Sequence, residues 1–156
     1  MCFEAITEDS TWAHGERDCI RTIRRGMEWS KMTNIDKIMD MLDCNNSQVK
    51  QRKGIRLARN VRSINVFLQP LDQKHNKNVW ENCAKILAER TDEELAPYLV
   101  PLLEWLQDMN WPGAFCILER MRSYAKSASY RSTLKYCLKQ ARRMEDDVWL
   151  ENLKSI

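Results

Sequence analysis

Glycine and proline are scarce, four of each in 156 residues. That argues against a turn-rich β fold and against a low-complexity disordered chain. Histidine is scarcer still: His14 and His75 are far apart and stand in polar text. With no C-x-x-C, H-x-x-x-H or H-E-x-x-H spacing, a conventional zinc site is not expected. The glycine-rich phosphate-binding patterns are missing too, so no cofactor is expected. No apolar run approaches the roughly 18 residues a membrane span needs, and the opening residues lack a signal-peptide layout. These absences together lead to the expectation of a soluble, cytoplasmic protein. A net charge of +3 creates no global field, so the distribution of charge carries more information than its sum.

Six cysteines are present, but their spacings are long and irregular, which suits reduced thiols better than a disulfide framework. Those after Cys44 fall on apolar stripes, where an inert thiol is expected. Leu, Met, Ala, Lys, Arg, Glu and Gln are abundant, and all favour helices. The apolar residues recur at helical spacing. Ile35, Ile38, Met39 and Leu42 form one face, with Thr33 as an expected cap and Asp36 at the third position of a capping box. Gly54, Leu57, Ala58 and Val61 form the next, started by Asn46 or Ser47. The helix over about 77–90 carries Trp80, Cys83, Ala84 and Leu87. Thr91 with Glu94 is a second capping box, leading to Leu99, Leu102, Leu103 and Leu106. Later helices are expected over 129–144 and 146–153. Residues 1–31 differ in texture. They read either as an extension ahead of a domain spanning 32–156, with the true start at Met32, or as an N-terminal helix docked on the core.

The stretch W-L-Q-D-M-N-W-P-G-A sets Trp105 and Trp111 on either side of a polar break. Asn110 is expected to cap the following helix, with Pro112 near its first position and both tryptophans packed in the corner of a helical hairpin. Trp80, Cys83, Ile86 and Leu87 recur 31 residues later as Trp111, Ala114, Ile117 and Leu118. That period suits stacked antiparallel helix pairs, a short α-solenoid, better than a closed bundle.

The segment from Asn76 to Met121 resembles the bacterial domain-of-unknown-function family 5071. Its hallmark, W-L-Q-D followed by N-W-P and a small residue, is met here by Trp105, Leu106, Gln107, Asp108, Asn110, Trp111, Pro112 and Ala114. The resemblance implies a small HEAT-like helical domain in a bacterial cytosol. It brings no activity and no catalytic residue.

Charge is distributed unevenly. Residues 50–62 hold six basic residues and no acid, and Arg52, Arg56 and Arg59 share the face opposite the apolar stripe. Residues 120–143 hold eight more, again without an acid, and Arg131, Lys135, Lys139 and Arg142 form a stripe along one helix. Such faces meet an acidic protein or phosphates. At stacking positions only Tyr124 and Tyr130 are expected to interleave the second stripe, which weakens a reading as a single-stranded nucleic-acid binder. The reading of function is therefore a non-enzymatic, protein-binding module of accessory or immunity type, with an acidic partner. The alternative is a nucleic-acid-binding module using the same basic faces. An enzyme would require Asp108, Asn110 and a cysteine or His75 to converge in one pocket.

Overall fold

The computed structural model describes residues 34–156, and the compact unit they form spans Asn34–Ile156. Thr33 and the two readings of residues 1–31 therefore lie outside the described residues. Among the described residues the chain is all-helical, with no strand.

Helix α1 (Ile35–Leu42) is capped by Asn34, whose side-chain oxygen accepts from the Lys37 N–H at 3.3 Å. It buries Ile38, Met39 and Leu42. Helix α2 (Gln48–Ala58) starts at Ser47, whose hydroxyl accepts from the Lys50 N–H. Gly54 lies where α2 meets α1: a Cβ there would sit 2.8 Å from the Met41 Cβ and 3.0 Å from the Leu42 Cδ2, so only a glycine lets α2 pack this close to those side chains. The apolar run at Ile64–Leu68 forms a single 3₁₀ turn, Ile64–Phe67, which inserts Ile64 and Phe67 into the core. Pro70, three residues on, blocks its extension into a longer helix.

Helix α3 (Lys77–Ala88) buries seven of its twelve residues. After it, the Thr91–Glu94 capping box forms in both directions and opens α4 (Asp92–Leu95). From α4 the path continues through a 3₁₀ turn (Ala96–Tyr98), α5 (Leu99–Glu104) and a second 3₁₀ turn (Trp105–Gln107). Pro97 lies in the first of these 3₁₀ turns, and Pro101 stands in the first turn of α5, where a missing N–H costs little. Helices α6 (Ala114–Ser123), α7 (Ala128–Arg143) and α8 (Asp147–Lys154) complete the chain.

Helices α2, α3 and α6 lie side by side and run in the same direction. Gln51 near the start of α2 accepts from Asn82 of α3, and Arg59 beyond its end pairs with Glu89 beyond the end of α3. Gly113, ahead of α6, faces Trp80 and Ala84 of α3, while Arg120 in its last turn reaches the Arg90 carbonyl. Two arginines thirty residues apart tie the helix ends together. Arg90 donates to the carbonyls of Ala58 at 2.7 Å and Val61 at 3.1 Å. Arg120 donates to the Arg90 carbonyl at 3.0 Å and to Asp92 at 2.5 Å. Each satisfies carbonyls that a helix end leaves open. On the other side, α7 packs on α5 and α8. Trp149 of α8 donates to the Leu103 carbonyl at 2.9 Å, and Asn152 to that of Leu106 at 2.7 Å. The single core runs between these groups, with Trp105, Trp149, Tyr130 and Phe67 its largest fully buried side chains.

Candidate functional site

The seam between α2 and α3 opens outward as a groove of about 690 Å³. Its α2 wall carries Arg52, Lys53, Arg56 and Arg59, and its α3 wall Lys85 and Glu89. Val49 and Ile55 supply the apolar part, with Val49 75% exposed. Five cations thus line the groove with one acid. The cause is local: α2 buries only Gly54 and Ala58, so most of its circumference is left for charge. Arg59 and Glu89 form a two-pronged ion pair, Nε to Oε2 at 2.8 Å and Nη2 to Oε1 at 3.2 Å. The Arg59 hydrogen bond holds the Glu89 carboxyl below the usual carboxylate range. Arg52 bends back to Gln48 of its own helix. Among the described residues, Arg52, Lys53 and Arg56 meet no carboxylate.

A second hollow of about 330 Å³ shares Arg52, Ile55 and Lys85 with the first, so the groove continues toward Gln51 and Asn82. There the floor is fixed by amides. Asn82 donates to the Leu42 carbonyl at 2.7 Å and to Gln51 at 2.8 Å. Gln51 donates onward to the Asn46 carbonyl at 2.7 Å. A satisfied, half-buried network of this kind gives the groove a rigid end.

The other sequence-selected residues fall elsewhere. Arg131, Lys135, Lys139 and Arg142 are exposed on α7, whose neighbours are α5 and α8, and none of them lines the groove. Trp105 is fully buried and donates to the Pro112 carbonyl at 3.1 Å. Trp80 stands edge-on to both Trp105 and Trp111, with ring centroids 6.0 and 5.7 Å apart. The hairpin corner thus packs as expected, but its cap does not. Asn110 does not cap α6 and Pro112 is not in its first turn: the N-cap is Gly113, at φ +83°. Asp108 instead accepts from the Asn110 N–H at 2.8 Å and its side-chain amide at 3.0 Å, closing a local turn. Gly113 is required because a Cβ there would sit 2.4 Å from the Ala84 Cβ. Tyr124 and Tyr130 are buried and stacked, so neither is offered to a ligand.

Asp108 and Asn110 bond to each other, while His75 belongs to a separate cluster. Its Nε2 lies 2.9 Å from Asp40 and its Nδ1 3.3 Å from Asp72, and the ring is buried. Asp72 also accepts the N–H groups of His75 and Lys74, which hold its carboxyl low. Hydrogen bonds from Lys74 and His75 do the same for Asp40. The Asp72–His75 half was legible as a local i, i+3 pair. The Asp40 half spans 35 residues and had no signal in the sequence. Among the described residues, no group of three or more His, Cys, Asp or Glu side chains is placed to hold a metal ion. Burial pushes the Cys83 thiol up to about 12 and, with a smaller contribution from Glu104, the Cys137 thiol up to about 11. No described helix is long and apolar enough to cross a membrane.

An all-helical domain with a cationic groove at one edge and a separate tryptophan–proline corner is the class these observations define. A family model described as Domain of unknown function (DUF5071) matches residues 73–154, over half of the chain, and the chain belongs to that family. No curated protein and no solved structure matches it. The matched span takes in α3 to α8 and the Trp105–Gly113 corner, and leaves α1 and α2 outside.

Proposed function

We propose that this is a HEAT-like module of stacked helix pairs, acting in the cytoplasm as a non-enzymatic accessory or immunity-type protein. It binds an acidic segment of a partner protein in the α2–α3 groove. The observation that carries this reading is the groove lining, five cations against one acid around exposed Val49 and half-buried Ile55. Charges so placed steer an acidic partner into the groove, and the apolar side chains add affinity that salt does not screen. Side-by-side helices joined through their ends give the rigid surface that such recognition needs. Two features favour binding over catalysis. The thiols of Cys83 and Cys137 are pushed far above neutral pH by burial. Both nitrogens of His75 are occupied by carboxylates, which leaves neither to take a proton from a nucleophile.

The test is retention of partners from host lysate by the full chain and by an Arg52→Glu, Arg56→Glu variant. Support is a single protein that survives high salt on the wild-type chain and is lost from the variant. Retention of the same proteins by both chains rejects the groove.

A further inference from the structure

Helix α7 places five cations, Arg131, Lys135, Lys139, Arg142 and Arg143, on exposed positions over thirteen residues, with no acid in the helix. Arg52, Lys53 and Arg56 of the groove apart, several cations elsewhere are neutralised: Arg59, Lys74, Lys85, Arg90, Arg120, Arg122 and Lys154 each meet a carboxylate. Among the described residues none of the five on α7 does; Arg131 donates only to the Lys126 carbonyl. Arg131, Lys135, Lys139 and Arg143 repeat at i, i+4, where like charges repel and weaken the helix. At 1.5 Å per residue the row runs about 18 Å.

Beside the row stands Tyr136, 52% exposed. Ser132 lies one turn before it, and Lys139 and Arg143 one and two turns after, so its ring shares their side of the helix. The opposite side of α7 is already used: Tyr130, Cys137 and Ala141 are buried in the core. What remains exposed is therefore a cationic track with one flat aromatic surface and no spare apolar face to lower into a membrane. Backbone charge neutralisation combined with base stacking is the recognition chemistry of single-stranded nucleic acid.

We propose that the exposed face of α7 binds single-stranded nucleic acid, with the five cations on successive phosphates and a base stacked on Tyr136. This site is separate from the α2–α3 groove and does not depend on the reading given to that groove.

The test uses the full chain and a fluorescein-labelled 20-mer of oligo(dT), followed by anisotropy. A 20-base-pair duplex and phosphatidylserine vesicles serve as competitors. Five phosphate contacts give a slope of log K against log salt of about −3.5, or about a hundredfold loss between 50 and 200 mM salt. Lys135→Gln, Lys139→Gln, Arg142→Gln together should flatten the slope to about −1.4, and Tyr136→Ala should weaken binding about tenfold. Glutamine is a good helix former, so an unchanged circular dichroism spectrum is expected of the triple variant. Arg52→Gln, Arg56→Gln should bind as the wild type does. The proposal is overturned by no binding at 50 mM salt, by loss of binding in the α2 variant instead, or by vesicles displacing the oligonucleotide where duplex cannot. Equal affinity for duplex with Tyr136→Ala silent also overturns it.

Discussion

Replacing Gly113 by alanine adds one methyl group where two independent obstacles stand. The residue has φ +83°, in a left-handed region that costs an L-residue about 1–2 kcal/mol. The new Cβ would also meet the Ala84 Cβ at 2.4 Å and the Trp80 carbonyl at 3.0 Å. Forcing a methyl into such a packed seam costs about 1–3 kcal/mol. The two together give about 2–5 kcal/mol, a large part of the stability of a domain this size. A double-mutant cycle separates them. Ala84→Gly alone costs about 1 kcal/mol in helix propensity and about 0.8 kcal/mol for the lost methyl. If the collision is real, the double variant is about 1–3 kcal/mol more stable than the two single losses predict. Urea unfolding read by tryptophan fluorescence measures each corner of the cycle, because Trp80, Trp105 and Trp111 share this seam. Additive losses would refute the collision, and an undiminished midpoint for Gly113→Ala would refute the whole account of the corner.

Other outcomes follow from the same geometry. Asp92 is held low chiefly by Arg120 and then by the Ala125 N–H, and Asp40, Asp43, Asp72, Glu89 and Glu94 are shifted the same way. The unfolded chain therefore binds more protons in acid, so stability is present above the ordinary carboxylate range and falls as pH drops through the lowered values. Thermal melts between pH 6 and 3 should show that decline, with Asp92→Asn less steep. Arg90→Met takes a donor from the carbonyls of Ala58, Arg59 and Val61, of which only Ala58 keeps another, the Val61 N–H, and should cost about 1–3 kcal/mol by urea unfolding. Trp149→Phe removes the bond to the Leu103 carbonyl and should cost a similar ~1–3 kcal/mol. Among the described thiols, exposed Cys44 should react first with a disulfide reagent, and Cys83 and Cys137 only on unfolding, as followed by peptide mass mapping.

What could be read in advance was whatever is local in the chain. Ser47 and Thr91 announce their helices because a cap acts on N–H groups two or three residues away. The apolar faces of α1, α3 and α6 follow from the helical period. At the tryptophan corner the local signal misled. Asn110 and Pro112 have the chemistry of a helix start, yet the closeness of Ala84 leaves room only for a glycine, and the start moves to Gly113. The Asp40–His75 contact depends on where the 69–77 connection is laid, which no periodicity records. The basic faces were visible as composition. That Lys85 joins the α2 stripe across a groove, and that Tyr136 rather than Tyr124 or Tyr130 is exposed, are results of packing. The HEAT-like arrangement and the binding role rest on the proposals above.

The arginine ties have a bearing on how such a chain can change. Arg90 holds the first helix pair by the carbonyls of Ala58 and Val61, and Asn82 holds it by the carbonyl of Leu42. Every residue offers a carbonyl, so these donors, Asn82 on α3 and Arg90 just past its end, ask little of the side chains opposite them. The surface of α2 is thereby free to drift, gaining or losing charge as its partner does, while the joint that carries it stays the same. A module attached in this way can be respecified without being refolded.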